Sequence, residues 1–282
     1  MDLASDTIRE IVERALREDV GTGDLTSLAV IPAAAQLSAR FIIREAGVVA
    51  GLPVAQAVFT ALDPTLSFSA HVSEGAHVVP GDLLASVEGS ARSILTAERV
   101  ALNLFQRLCG IATLTDRYVE AVRGTRARIL DTRKTTPGLR ALEKYAVRVG
   151  GGVNHRFALY DGVMLKDNHL ALLAANGVGL GEAVRQARVA VGPMVRVEVE
   201  VESVASAIEA VEAGAEMILL DNMPPALLRE AVAAVAGRAT LEASGGITLA
   251  TVRAVAESGV DYISVGALTH SARALDIGLD IL

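Results

Sequence analysis

Lysine occurs at only three positions in this 282-residue chain, Lys134, Lys144 and Lys166, although the chain has 26 Lys and Arg residues. The other 23 are arginine, so arginine is the default cation of this sequence. Lysine carries a compact ammonium and arginine a planar guanidinium, and the two do not substitute for each other at a specific site. We therefore predict that these three lysines lie where an ammonium group is required.

The same stretch of the chain is strongly basic. Between Arg123 and His169 ten Lys and Arg residues stand against four Asp and Glu, in a chain of formal net charge −7. A small cationic region in an acidic protein favours a small polyanionic ligand, because a nucleic acid would favour a broad basic surface. The alternative is a set of solvated helix faces. Three consecutive glycines at 150–152, close to His155 and Arg156, disfavour that alternative.

Composition excludes several other functions. Aromatic residues make up 3% of the chain and tryptophan is absent, so nucleic-acid bases have little to stack on. The most apolar stretch, residues 47–62, is shorter than a membrane span and contains Pro53 and Gln56. No signal-peptide pattern is present, and the single cysteine, Cys109, excludes an internal disulfide. We therefore expect a cytoplasmic protein in which Cys109 is an inert, packed thiol.

The elements that must position the basic residues fall into two parts. Before residue 126 the patterns predict a helix at 5–18 capped by Ser5, strands within 40–51 and 66–87, and a long helix at 93–122. The long helix is expected to be interrupted near Gly110 and to bridge two domains. After residue 126, β-rich runs at 128–130, 162–165, 195–199, 217–220, 240–242 and 262–265 alternate with helical patterns, clearest at 181–191, 204–213, 225–235 and 249–258.

This alternation predicts parallel strands with right-handed helical crossovers, in either an α/β barrel or a doubly wound sheet. Polar or glycine residues follow each apolar run, and they recur near positions 200, 221, 244 and 266. In a barrel every strand end opens onto the face that carries the active site, whereas a doubly wound sheet uses only its switch point. The recurrence favours a barrel.

Two acidic residues follow neighbouring strands. Carboxylates at Glu200 and Asp221 could hold Mg²⁺, directly or through water, if a phosphorylated ligand completed the coordination shell. Residues 196–202 alternate between charged residues and valine, so the pattern alone does not choose between Glu198 and Glu200. Asp221 is better defined, because it directly follows the apolar run 217–220.

Small residues follow the last two strands. Ser244, Gly245 and Gly246, and then Gly266 and Ala267, would let backbone N–H groups approach a phosphate, with the next helix adding its dipole. A second anionic group of the ligand could bind to the cations of Arg133, Arg156 and Lys166. His155, beside Arg156, could donate a hydrogen bond to the same ligand, and His270 is a weaker candidate because it only follows the last glycine loop.

Taken together, these motifs resemble the quinolinate phosphoribosyltransferase family. The matching segments are DTRKTTPGLR at 131–140, GGGVNHR at 150–156, KDNH at 166–169, EVE at 198–200, LDN at 220–222, SGGI at 244–247 and SVGALTH at 264–270. The similarity extends to EDVGTGDLT at 18–26, AGVVAG at 46–51 and Glu98-Arg99, and so covers nearly the whole chain.

The resemblance implies a two-domain α/β fold. An N-terminal α/β sandwich would span residues 1–110 and be rejoined by 271–282, and an open α/β barrel of the type II phosphoribosyltransferase kind would span 111–270. It also implies a homodimer in which each active site takes residues from both chains.

The implied reaction joins quinolinate and phosphoribosyl pyrophosphate to give nicotinate mononucleotide, pyrophosphate and CO₂, in NAD biosynthesis. By motif match, quinolinate would be bound by Arg99 of the partner subunit together with Arg133, His155, Arg156 and Lys166. Lys134, Glu200 and Asp221 would serve the ribose and the Mg²⁺-pyrophosphate, and the two glycine loops the 5′-phosphate. The family thus favours Glu200 over Glu198.

Two other functions are alternatives on the basis of the residues alone. A ModD-like phosphoribosyltransferase paralogue would keep phosphoribosyl binding with an altered dicarboxylate pocket, which the complete set of quinolinate residues argues against. A non-catalytic phosphosugar sensor would not need Lys134, Glu200 and Asp221.

Overall fold

The structure, a computed structural model, describes residues 3–281. The chain forms two compact units. The first contains the residues up to Asp116, Lys134–Gly151 and the residues from Ala267 onward, and the second contains Arg117–Arg133 and Gly152–Gly266. The domain boundaries drawn from the sequence, 1–110 and 111–270 with 271–282 returning, stay a prediction, and the compact units differ from them in where residues 134–151 belong.

Twelve strands are present in the described residues. They are β1 (Gln36–Ile43), β2 (Gly47–Val48), β3 (Ser67–Ala70), β4 (His77–Val78), β5 (Leu83–Ser90), β6 (Arg128–Leu130), β7 (Val163–Leu165), β8 (Val197–Val201), β9 (Met217–Asp221), β10 (Thr240–Ser244), β11 (Tyr262–Ser264) and β12 (Ile277–Ile281).

Eleven helices accompany them over the same residues. They are α1 (Ser5–Val20), α2 (Leu25–Val30), α3 (Leu52–Leu62), α4 (Ala91–Ala121), α5 (Arg140–Val149), α6 (Asp167–Ala175), α7 (Leu180–Ala190), α8 (Val204–Glu212), α9 (Pro225–Val235), α10 (Val252–Ala256) and α11 (Ala267–His270). None of these helices combines the length and apolar character needed to cross a bilayer.

The first unit is built on an antiparallel sheet with strand order β12-β1-β5-β3. β12 pairs with β1 from Ile43↔Ile277 to Ala39↔Ile281, so the C-terminal strand returns to the N-terminal sheet. Aromatic rings form the core beside this sheet, where Phe41 makes edge contacts with Phe59, Phe68 and Phe105. Burial of these large rings adds to the apolar surface removed from water by the surrounding aliphatic core.

The long helix α4 runs without interruption through Gly110, so the predicted break there is wrong. A Cβ at Gly110 would lie 1.9 Å from the carbonyl oxygen of Arg273. The glycine therefore serves a close approach between α4 and the backbone near Arg273, and it does not end the helix. Ser5 is not the N-cap of α1 either, because Ala4 occupies that position without a side-chain cap.

Five of these helices, α2, α3, α5, α6 and α11, were not among the helical segments predicted from the sequence, and three of them show why. In α5 the buried positions include Glu143 and Lys144 beside Leu142 and Val147, so charged residues hide its apolar face. α6 begins directly after Lys166 within a polar motif and buries no residue fully. α3 lies inside the apolar stretch 47–62, where an almost continuous apolar run conceals the helical period.

The second unit is a six-stranded parallel sheet with the order β6-β11-β10-β9-β8-β7. All six predicted β-rich runs are strands, and successive strands from β7 to β11 lie side by side without reversal. A doubly wound sheet would reverse its order at a switch point, so this is barrel topology. Among the described residues β6 and β7 do not pair with each other, and only an isolated bridge from Leu130 to Val153 extends the sheet there, which leaves the barrel open.

Candidate active site

The predicted functional residues of the second unit lie at the carboxyl ends of its parallel strands. Asp221 and Ser244 are the last residues of β9 and β10 and are paired in register. Lys166 directly follows β7, Glu200 is the fourth residue of β8, and Gly266 follows β11 by two residues. Because parallel strands end on one face, these side chains share one end of the sheet.

Glu200 interacts electrostatically with two of its predicted partners. Burial raises the pKa of the Glu200 carboxyl, the Lys166 ammonium acts against this rise, and the charge of Asp221 adds to it. A half-buried carboxylate close to a second carboxylate is costly, and a bound cation would lower that cost. The charged groups that act on Glu200 are thus one ammonium and three carboxylates, those of Asp221, Asp167 and Glu202.

Glu198 lies in a different place, although it points to the same face of β8 as Glu200. It is 4% exposed and sits two residues nearer the amino end of the strand. One oxygen of its carboxylate lies 3.0 Å from Nε2 of His155. The structure therefore gives the two acids, which the alternating pattern could not separate, different neighbours.

Arg133 and Arg156 lie close enough to repel each other. Burial lowers the pKa of the Arg156 guanidinium, and the positive charge of Arg133 lowers it further. Arg156 donates from Nη1 to the carbonyl oxygen of Gly162 at 2.8 Å, which fixes the direction of its side chain. A dianion would stabilise two partly buried guanidinium groups that repel each other.

His155 is held by buried carboxylates on both its ring and its backbone. Nε2 lies 3.0 Å from Glu198 and 3.3 Å from Glu242, and the backbone N–H donates to Asp131 at 2.9 Å. Burial of the ring lowers the pKa of His155 and the carboxylates of Glu198 and Glu242 raise it, with a net rise above the usual value. The Arg156 N–H, 2.7 Å from Nδ1, opposes this rise, because it can donate only to an unprotonated Nδ1. That His155 binds a ligand stays a prediction.

Sequence reasoning missed Glu242. Its signal was a carboxylate in the middle of an apolar run, at the third position of β10, where a buried strand would ordinarily carry an apolar residue. Glu242 is 1% exposed, and a buried charge requires a partner, so its position pointed to a hidden cation.

The first glycine loop packs against the turn that follows Asp221. Asn222 adopts a left-handed conformation with φ 54°, and its backbone N–H donates to the carbonyl oxygen of Ser244 at 2.9 Å. Gly245 has φ +90°, and a Cβ there would lie 2.1 Å from Oδ1 of Asn222. The loop and the acidic turn are therefore interlocked, and only glycine fits at 245.

The helix dipole predicted behind this loop is not present. α10 begins at Val252, six positions after Gly246, so the loop offers backbone N–H groups without a helix N-terminus behind them. After Gly266 the helix α11 does begin at once, but it has only four residues. Any phosphate binding in these loops thus depends on the loop backbone and on nearby cations.

The remaining predicted residues belong to the first unit. Arg99 is exposed on α4, Lys134 is exposed, and the carbonyl oxygen of Lys134 accepts a hydrogen bond from the Thr269 hydroxyl at 2.7 Å. His270 is exposed, with Nδ1 2.6 Å from Oγ of Ser271. Lys144, by contrast, is 2% exposed within α5, so this lysine does not line an open site.

A buried ion pair supports the segment that follows Lys134. Glu143 is fully buried, lies 2.9 Å from Nη2 of Arg107, and accepts the backbone N–H of Thr136 at 3.0 Å. Arg107 also donates to the carbonyl oxygen of Ala272 at 2.6 Å. One pair thereby ties the chain after Lys134 to the chain after α11.

Comparison with known proteins agrees with this arrangement. Residues 24–109 match the family model of the quinolinate phosphoribosyl transferase N-terminal domain, and residues 111–280 match that of its C-terminal domain. The chain is 45% identical to the nicotinate-nucleotide pyrophosphorylase [carboxylating] of Mycobacterium leprae over 289 residues, 99% of each chain. It is 43% identical over 274 residues to a probable enzyme of the same name from Bacillus subtilis, covering 97% of this chain and 93% of that one.

Solved structures of nicotinate-nucleotide pyrophosphorylases have a similar fold. The crystal structure of NadC from Streptococcus pyogenes superposes with a TM-score of 0.94 at 46% identity, over 100% of this chain and 99% of that one. The nicotinate-nucleotide pyrophosphorylase of Francisella tularensis superposes with a TM-score of 0.92 at 35% identity, over 100% and 98%. Sequence motifs, barrel topology and full-length similarity lead to one assignment: the chain belongs to the quinolinate phosphoribosyltransferase family.

Proposed function

We propose that this protein transfers the phosphoribosyl group of phosphoribosyl pyrophosphate to quinolinate with decarboxylation, giving nicotinate mononucleotide, pyrophosphate and CO₂ in NAD biosynthesis. The observation that carries the proposal is the pair of partly buried guanidinium groups of Arg133 and Arg156. Quinolinate has two adjacent carboxylates, and such a dianion relieves the repulsion between the two cations. Lys166 and Arg99, the latter from a partner subunit, complete the proposed quinolinate site, and His155 borders it.

The phosphoribosyl substrate would occupy the carboxyl ends of the later strands. Ser244, Gly245 and Gly246 offer backbone N–H groups to the 5′-phosphate, as do Gly266 and Ala267, with His270 as a further contact. The exposed ammonium of Lys134 would bind the pyrophosphate. Support for this side comes from the interlocked Asn222 and Gly245, which present Asp221 and the glycine loop as one surface.

The donor set suits Mg²⁺. Glu200 and Asp221 supply carboxylate oxygens, the ligands that Mg²⁺ prefers, and the raised pKa of Glu200 indicates a site that a cation would stabilise. When bound, Mg²⁺ would contribute positive charge to the pyrophosphate leaving group. The side chains of Glu200 and Asp221 would hold it, with Lys166 at their border.

The chain's own residues act mainly through position and charge. The ring nitrogen of quinolinate must attack C1 of the ribose while pyrophosphate leaves, so the transition state gathers positive charge on the sugar and negative charge on the leaving group. Arg133 and Arg156 would orient the ring. During decarboxylation the Lys166 ammonium would stabilise electron density at the ring carbon that loses CO₂.

No covalent nucleophile is needed, and Cys109 is unsuited to be one. Burial raises the pKa of its thiol to about 12, and its Sγ contacts the carbonyl oxygen of Ala50. A thiol with so high a pKa is not ionised at neutral pH, and the thiol is a far weaker nucleophile than the thiolate. This is the inert packed cysteine that its neighbours in the sequence predict.

We also propose a cytoplasmic homodimer with shared active sites. The exposed position of Arg99 on α4 supports the sharing, because the side chain is available to a second chain. The single free cysteine is consistent with a reducing compartment.

The test is an assay of the purified chain with quinolinate, phosphoribosyl pyrophosphate and Mg²⁺, following both CO₂ release and nicotinate mononucleotide. Nicotinate, which has one carboxylate fewer, serves as the control substrate. We expect both products from quinolinate and none from nicotinate. Phosphoribosyl transfer to another base with no turnover of quinolinate would favour a ModD-like paralogue, and binding of the phosphosugar without turnover would favour a sensor.

A further inference from the structure

Three buried carboxylates surround the segment Asn154–Arg156. Asp131 is fully buried and accepts hydrogen bonds from the Asn154 side chain at 2.6 Å and from the His155 backbone. Glu198 and Glu242, from strands β8 and β10, both meet Nε2 of His155. A charge removed from water is costly unless it is paired, and apolar residues of similar size would pack as well or better at such positions. Packing alone therefore does not account for Glu198 and Glu242.

Both ring nitrogens of His155 are engaged by the protein. Nε2 lies at ion-pair distance from Glu198 and Glu242, although not in hydrogen-bonding geometry with either. The backbone N–H of Arg156 donates to Nδ1 at 2.7 Å. Two N–H groups at this distance would repel, and the Arg156 amide is fixed by its backbone, so we place the ring proton on Nε2. The imidazole then links two buried carboxylates to the peptide of Arg156.

Packing on the other side of this link is incomplete. A cavity of about 340 Å³ is lined by His155, Arg156 and Glu198 together with the first residues of several strands, Val163 and Met217 among them. Side chains that border open space lose part of their van der Waals support. The polar contacts of His155 and Arg156 therefore matter more on this side of the segment.

We propose that Glu198 and Glu242 are positioning residues of the quinolinate site, which hold the His155 imidazole and, through it, the backbone of Arg156. The inference rests on the proposed function for the role of Arg156 in binding a quinolinate carboxylate. The guanidinium of Arg156 is already directed by Gly162, so the backbone anchor is the second point that fixes the side chain. The phosphoribosyl side, at Asp221 and Ser244, takes no part in this chain of contacts.

Glu242 is the better residue to change, because Glu198 lies two residues from the proposed metal ligand Glu200. Glu242→Ala removes the acceptor, and Glu242→Gln keeps its shape and one acceptor oxygen. Glu216→Ala is the matched control, since Glu216 accepts the backbone N–H of Val197 in the same unit but lies outside the cluster.

Steady-state kinetics should separate positioning from a general structural role. Misplacement of a binding group by about 1 Å can cost about a hundredfold, so we expect Glu242→Ala to raise KM for quinolinate by about ten- to a hundredfold. KM for phosphoribosyl pyrophosphate should stay within about twofold, and Glu242→Gln should recover most of the quinolinate affinity. An unchanged KM for quinolinate in folded Glu242→Ala, equal losses for both substrates, or no rescue by Gln would overturn the proposal.

A measurement without substrate covers the case in which Glu242→Ala does not fold. In protein labelled with ¹⁵N-histidine, the His155 ring is assigned by its loss in His155→Gln. We expect a slowly exchanging Nε2 proton that is displaced in Glu242→Gln and unchanged in Glu216→Ala. A ring that exchanges freely, or that does not respond to Glu242→Gln, would refute the link. Since this arm uses no quinolinate, a failed activity assay with a positive ring signal would reject the proposed function and leave the link intact.

Discussion

At the scale of single residues, the choice between arginine and lysine at each position indicates how that position can bind an anion. The charge of Arg133 lowers the pKa of the Arg156 guanidinium, so these two cations repel each other, whereas the charge of Lys166 lowers the pKa of the Glu200 carboxyl. A guanidinium can grip a carboxylate with two parallel hydrogen bonds, and an ammonium acts as a point charge. This division fits the proposed site, in which the two arginines grip the carboxylates of quinolinate and Lys166 lies between quinolinate and the proposed Mg²⁺ ligand Glu200.

Arg133→Lys should therefore not be a conservative change. Loss of one bidentate pair is expected to cost roughly 2–4 kcal/mol in kcat/KM for quinolinate, on the order of thirty- to a thousandfold. Arg238→Lys is the matched control, because Arg238 donates hydrogen bonds to the carbonyl oxygens of Ala234 and Val235 at the end of α9. Steady-state kinetics of both variants would decide the matter, and near-normal activity of Arg133→Lys would remove Arg133 from the quinolinate site.

Residue types were more predictable than residue partners. The rarity of lysine and the basic character of residues 123–169 single out Lys134, Arg156 and Lys166 from the sequence alone. The link from Glu242 through His155 could not be read in the same way, because it joins residues 87 positions apart whose contact exists only once β10 lies beside its neighbours. Lys144 looks the same as the other two lysines in the sequence, and only burial sets it apart.

Strands and helices could be predicted where apolar residues recurred along the sequence with a single clear period. The six runs that became β6 to β11 are short, apolar and bounded by turns, and such signals are local. α5 was hidden by Glu143 and Lys144 on its buried face, and Gly110 was mistaken for a break because its contact with Arg273 is remote in sequence. In each failure a tertiary contact overrode a local preference.

The interlock between Asn222 and Gly245 leads to a prediction about one turn. Gly245→Ala adds strain at φ +90° and places a methyl group 2.1 Å from Oδ1 of Asn222, so the turn after Asp221 must move. We expect KM for phosphoribosyl pyrophosphate to rise by about tenfold or more, with a smaller change for quinolinate.

Gly237→Ala provides the control for strain alone. Gly237 also has positive φ, +74°, but a Cβ there meets nothing within 4 Å. The free energy of unfolding of both variants should fall by about 1–2 kcal/mol, because the alanine is forced into a left-handed conformation. Only Gly245→Ala should lose affinity for the phosphoribosyl substrate; equal kinetic effects in the two variants would show that the interlock has no role in binding.

For the whole molecule, the informative feature of the sequence was that polar or glycine residues recur after the apolar runs. Polar chemistry after every parallel strand predicted a barrel, and the strand order β6-β11-β10-β9-β8-β7 confirms it. The grouping of residues 134–151 with the first unit was not predictable, because it depends on contacts such as that between Arg107 and Glu143. No local pattern in the sequence encodes such a return of the chain.

The proposed sharing of sites between subunits can be tested by complementation. Arg99→Ala and Lys166→Ala should each be nearly inactive alone, since each removes one cation from every quinolinate site. Mixed and refolded together, random pairing gives half heterodimers, each with one intact site of two, so activity should recover to at most about a quarter of wild type. Arg117→Ala, at another exposed position of α4, should by itself keep its activity. Heterodimers verified by native mass spectrometry that show no recovery would mean that Arg99 serves its own chain or has no part in the site.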